Sequence, residues 1–157
     1  MSEHPHFDRP LRAYCPNFRP LVGRPEIGRA TKALLYLWVL PTSALALPLV
    51  ALRALTGGST FLHGGVVEVH GRLVRRVLNF GPFPAAALTL GHVVLNQDDT
   101  ARRLYRHHEL VHVRQAERWG PLFVPLYLGL AVRTWRRTGQ GYWDHPWEVE
   151  AREISGI

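Results

Sequence analysis

The sequence predicts an α+β domain built on a small antiparallel sheet and preceded by an N-terminal hydrophobic segment. Three observations carry this. Residues 33–52 run ALLYLWVLPTSALALPLVAL without a charge, short strand-like stretches fall between 65 and 96, and a helix signal covers about 100–119. At 157 residues the chain suits one domain and not comfortably two. Its division is expected to be an extended N-terminal arm over 1–30, a membrane-spanning or interfacial segment over 33–55, and a folded domain over 60–157.

The arm holds Pro5, Pro10, Pro16, Pro20 and Pro25 with arginines between them, and shows neither helical nor strand period. It is too long and too broken for the leading region of a signal peptide. Lys32 and Arg53 bracket the hydrophobic run. About 20 apolar residues is what one helix needs to cross a bilayer. Pro41 and Pro48 are awkward in water but tolerated in membranes. A single membrane segment is therefore expected, with a proline-broken interfacial hairpin or a buried core helix as alternatives. Membrane lipid is the partner this implies. Arg19, Arg24, Arg29 and Lys32 before the run favour a cytoplasmic N-terminus.

A net charge of +7 raises the question of nucleic acid. Lys32 is the only lysine, however, and the arginines are scattered without the interleaved aromatics that base stacking needs. A nucleic-acid partner is not expected. Cys15 is the only cysteine, so neither an internal disulfide nor a cysteine-rich zinc cluster can form. Any metal site must use histidine and carboxylate.

Past Gly57-Gly58, residues 65–70 and 73–79 read as strands separated by Gly71. Gly81, Pro82 and Pro84 signal a turn. Residues 86–96 read as one further strand with Gly91 as a bulge. Gln97 to Thr100 supply an N-cap for a helix that Gly120-Pro121 stops near Trp119. The apolar run 121–132 is too short to span a membrane. A last short helix starts near Pro146, with Asp144 or His145 as its cap.

On a helical wheel, the 100–119 segment gathers Leu104, Tyr105, His108, Glu109, Val111, His112, Gln115, Ala116 and Trp119 on one side. Arg102, Arg103, Arg106, Arg114, Glu117 and Arg118 take the other. Burying His108, Glu109 and His112 without partners would cost several kcal/mol. A metal ion resolves the conflict. Histidines four apart share one helix face and can bind one ion, and Glu109 beside them can reach a metal-bound water. This is why the chemistry needs the spacing His108-Glu109-Leu110-Val111-His112. A catalytic zinc site also takes a third protein ligand. Glu148, in the first turn of the last helix, is the expected one, with Glu150 and His145 as rivals.

These motifs resemble the gluzincin metallopeptidases, which carry HExxH on one helix and a glutamate on a later one, often in the setting E-x-x-A-D. Glu148-Val149-Glu150-Ala151-Arg152 matches it, with arginine where the aspartate would stand. The longer pattern LGHVVL, HELVHVRQAERWGPLFVPLY and HPWEVEA is similar to a group of small, uncharacterised bacterial membrane proteins over roughly residues 35–153. The resemblance implies a metal site and membrane association but no known substrate. The expectation is a compact zincin-like domain in the bacterial inner membrane, holding one Zn2+ on His108, His112 and Glu148, with Glu109 as catalytic base and a peptide or protein as substrate. The segment around Leu88–Leu95 would be the substrate edge. Tyr127, Tyr142 and His92 are candidates to stabilise an oxyanion, and Gln115 to hold a ligand. A non-catalytic structural metal site and a non-peptidase metallohydrolase are the rival classes. The absence of a cysteine ligand weighs against a deformylase.

Overall fold

The hydrophobic run folds as two helices. Helix α1 spans Arg29–Ala44 and α2 spans Leu47–Thr56, and their axes differ by 76°. Pro48 stands in the first turn of α2, where its missing N–H costs no hydrogen bond, and proline disfavours helix in the residue before it. The break therefore falls just ahead of it. No single helix among the described residues is long and apolar enough to cross a membrane, although the bent pair together has the length and composition. This corrects the expected single segment. The structure, a computed structural model, describes residues 18–80 and 84–157. Most of the arm, with Cys15, and the turn signals Gly81 and Pro82 lie outside that range.

One side of α1 belongs to the protein core. Val39 is fully buried, the Thr42 hydroxyl donates to the Gly120 carbonyl at 2.9 Å, and the Ser43 hydroxyl accepts the His92 N–H at 3.0 Å. Gly120 has a positive φ, and a Cβ there would sit 2.2 Å from the Trp38 ring. Ahead of α1, a 3-10 turn at Leu21–Gly23 buries Val22 and gives the Leu21 and Val22 amides to the Glu117 carboxylate at 2.6 and 2.9 Å.

Four strands make one sheet: β1 (Gly58–His63), β2 (Val66–Gly71), β3 (Ala87–Leu90) and β4 (Val93–Asn96), in the order β1-β2-β4-β3. The outer pairs are antiparallel, but β2 and β4 run parallel, so the sheet is mixed and not antiparallel as expected. A parallel pair needs a crossover. Part of it is α3 (Arg72–Leu78), where the sequence suggested a strand. The apolar residues Leu73, Val74, Val77 and Leu78 follow the helical period, and Val74 and Leu78, four apart, are the buried ones. The valines and the flanking glycine disguised that spacing. The expected strand 86–96 is likewise two strands. Gly91 has φ +65° in the tight turn between them, and a Cβ there would meet the Ser43 hydroxyl at 2.3 Å. It is a turn glycine, not a bulge.

Strand alternation then divides the core. Val69, Val93 and Leu95 face Ala46, Val74 and Leu78 on one side of the sheet. Val66 and Val94 face Leu110 and Val113 of helix α4 (Asp99–Trp119) on the other. Asp98 caps α4 by accepting the Ala101 N–H at 2.9 Å.

Glu68 points to the α4 side and is 2% exposed. It accepts from Arg102 at 2.9 Å and from Arg106 at 2.7 and 2.8 Å. The arginine side of the wheel is thus only in part a solvent face: Arg103 and Arg118 are exposed but Arg102 and Glu117 are buried, while Leu104 from the other side is exposed. Burial opposes the Glu68 charge, but the two guanidiniums outweigh it and lower its pKa. A depressed carboxylate adds stability above its unfolded pKa and loses it as pH falls through the folded one. Urea unfolding should therefore show stability falling with pH only below the ordinary carboxylate range. Glu68→Gln should flatten that acid limb and cost about 3 kcal/mol at neutral pH, since two arginines lose their shared partner.

Helix α5 (Phe123–Thr138) follows a short 3-10 turn, and α6 (Pro146–Ser155) closes the chain against α4.

Candidate metal centre

Helix α4 carries His108 and His112 one turn apart, and α6 brings Glu148 to them in its first turn. Pro146 pre-sets the helical start of α6, and His145 is its cap: its Nδ1 accepts the Trp147 N–H at 3.1 Å. His145 Nε2 then donates to the Tyr127 carbonyl at 3.0 Å. Both ring nitrogens are committed, so this rival ligand is occupied elsewhere. Burial holds its pKa down, in keeping with a neutral ring. Glu150, the other rival, accepts from Gln115 Nε2 at 2.9 Å.

The remaining three converge. His108 Nε2 lies 3.1 Å from His112 Nε2 and 3.1 Å from Glu148 Oε2, and His112 Nε2 lies 3.2 Å from Glu148 Oε1. All three side chains are buried and can hold a metal ion. Ligands at about 2.0–2.1 Å in a tetrahedral array sit about 3.3–3.4 Å apart, close to the observed triangle. Their electrostatics point the same way. Burial alone would lower the His112 pKa, but its bond to Glu148 and the charges of Glu109 and Glu148 push it up to about 9. Burial likewise opposes the Glu148 charge, yet the bonds from His108, His112 and Tyr127 hold it far below the usual carboxylate range. The pocket stabilises positive charge at its centre.

Gln115 sets the His112 ring. Its Nε2 donates to the Trp147 carbonyl at 3.1 Å and to Glu150, which turns its Oε1 toward His112 Nδ1 at 2.8 Å. The Nδ1 proton is thereby fixed, and the Nε2 lone pair is free for an ion once the second proton leaves. Gln115→Ala should weaken metal affinity about 10–100-fold, measured by competition with a chromogenic chelator, with the fold intact by circular dichroism. The Tyr127 hydroxyl donates to Glu148 Oε1 at 2.6 Å and sets the carboxylate. Burial and then the Glu148 charge raise the Tyr127 phenol well above its ordinary value, so it stays protonated. His108 Nδ1, by contrast, is buried with no hydrogen-bond partner among the described residues. Arg152 is turned elsewhere and donates to the Trp143 carbonyl.

Glu109 is buried beside the triangle. Its Oε2 accepts from the Thr89 hydroxyl at 2.6 Å, which ties it to strand β3. Thr89 was not singled out in the sequence. The one signal was a hydroxyl at an inward position of an otherwise apolar strand. Of the three oxyanion candidates, Tyr127 is bound to Glu148, and Tyr142 is half-exposed with its phenol raised by burial and by Glu148. His92 instead stacks edge-on against Tyr36 and lies 3.5 Å from Glu117.

The chain matches no protein-family model, no curated protein and no solved structure.

Proposed function

We propose that this chain is a zincin-like, zinc-dependent metallopeptidase of gluzincin type, with His108, His112 and Glu148 as the ligands and Glu109 as the base. The observation that carries the reading is one buried point where two imidazole nitrogens and a carboxylate converge with a second carboxylate alongside. A donor set of two nitrogens and one oxygen without sulfur suits zinc. Zinc held there supplies Lewis acidity and makes water nucleophilic near neutral pH.

The chain's own residues do the rest. Glu109 takes the proton of the attacking water and passes it to the leaving amine, with Thr89 fixing one of its oxygens. Tyr127 and Gln115 hold Glu148 and His112 in position. Strand β3 offers the substrate an edge. The Gln97 N–H bonds the Ala86 carbonyl at 3.0 Å, which sets the phase of the β3–β4 pair. Residues 86, 88 and 90 then bond inward, and the backbone groups of Ala87 and Thr89 face the open side, where an extended peptide can pair.

The test is zinc content by elemental analysis alongside cleavage of a casein-type substrate. One zinc per chain is expected, with cleavage lost in 1,10-phenanthroline and restored by added zinc. Cleavage that persists in metal-stripped protein would sink the proposal. A second reading, a metal that only staples the fold, draws on the burial of all three ligands. It expects stripping to lower Tm with no cleavage at any stage.

A further inference from the structure

We infer that the outer face of the α1–α2 pair docks on an anionic phospholipid surface, so that the protein lies on a bilayer without crossing it. This goes beyond the hydrolytic reading and does not depend on it. Leu34, Leu37, Leu47, Leu52 and Leu55 stand exposed along the two helices and Leu45 at the break between them, with Leu34 at 66%, Leu37 at 67% and Leu55 at 82%. Large apolar side chains exposed at this density over residues 34–55 of a small protein mark a contact site. The partly exposed rings of Tyr36 and Trp38 are of the amphipathic kind that favours a membrane–water boundary.

Charge selects the occupant. No charged residue falls between Lys32 and Arg53, and where α1 begins Arg29 is exposed and Lys32 half-buried. An apolar strip with cations at its ends matches acyl chains beneath anionic headgroups. A second copy of this chain would bring the same cations against themselves.

The opposite face of α1 decides against a crossing. Val39, Thr42 and Ser43 are buried in the folded domain, with hydroxyl bonds to Gly120 and His92. Drawing α1 into a bilayer would strip those partners away. Neither helix alone, at about 24 and 15 Å, reaches across a hydrocarbon core of about 30 Å, and the 76° bend takes the two out of line.

The experiment floats the full chain with phosphatidylcholine vesicles, with and without phosphatidylglycerol. We expect binding to the anionic vesicles to exceed that to neutral ones about tenfold or more. Leu34→Asp with Leu37→Asp should reduce it at least about tenfold at unchanged circular dichroism and zinc content. Should that double variant misfold, Arg29→Ala with Lys32→Ala leaves the apolar face untouched and should still reduce anionic binding. Alkaline carbonate should release the protein from cell membranes. Absence of flotation, equal binding to neutral vesicles, or retention through carbonate would each overturn the inference. So would a dimer in sedimentation that the aspartate pair dissociates.

Discussion

On the proposed metallopeptidase reading, Glu109→Gln is expected to lose hydrolysis by about 10²–10⁴-fold while still binding zinc. The two effects separate because Glu109 is not part of the ligand triangle; its Oε2 is engaged by Thr89. Glutamine is nearly isosteric and can still accept from the Thr89 hydroxyl, so the packing of β3 on α4 should survive. Only the basicity goes. Single-turnover cleavage and elemental analysis on the same preparation check both halves. Full activity in this variant would remove Glu109 as the base, and loss of zinc would make it a ligand instead.

The second large effect is expected at Glu148. Glu148→Ala should lower zinc affinity by more than about 100-fold, since changing groups that merely orient ligands already costs 10–100-fold. His112 gives an independent signature. Its pKa of about 9 rests largely on the bond to Glu148, with Glu109 contributing. In metal-free Glu148→Ala protein, the His112 titration followed by NMR should move down toward the ordinary histidine range. Glu148→Gln should be intermediate, because the amide can still meet Tyr127 but brings no charge. Unchanged zinc affinity in the alanine variant would mean that another group completes the site. Glu150 and His145 are already engaged by Gln115 and by Trp147 and Tyr127.

What the sequence disclosed about this site follows distance along the chain. The spacing of His108 and His112 is a property of one helix, and Pro146 marks the start of another, so both ligand-bearing elements were legible. The convergence of Glu148 with them was only an expectation from the resemblance and the cap. Thr89 carried almost no signal, because a strand hydroxyl acquires meaning only once α4 packs against it. The sheet was misjudged for a related reason. Whether β2 pairs with β1 alone or also in parallel with β4 depends on a crossover through α3, which local pattern does not report. A wheel sorts the arginines of α4 by polarity and not by partners; Glu68, more than thirty residues earlier, is what buries Arg102.

Gln115 reaches from α4 across to the Trp147 carbonyl and Glu150 of α6. Together with Glu148 it is a cross-link between segments that are far apart in the chain. An ion at the triangle would close the long loop formed by α5 and its flanking turns, and its binding free energy would count directly toward docking α6. The C-terminal helix would then be the part of the fold whose order reports on metal supply, undocking first as the ion is withdrawn while α4, gripped by Glu68 near one end and through Glu117 near the other, keeps its place.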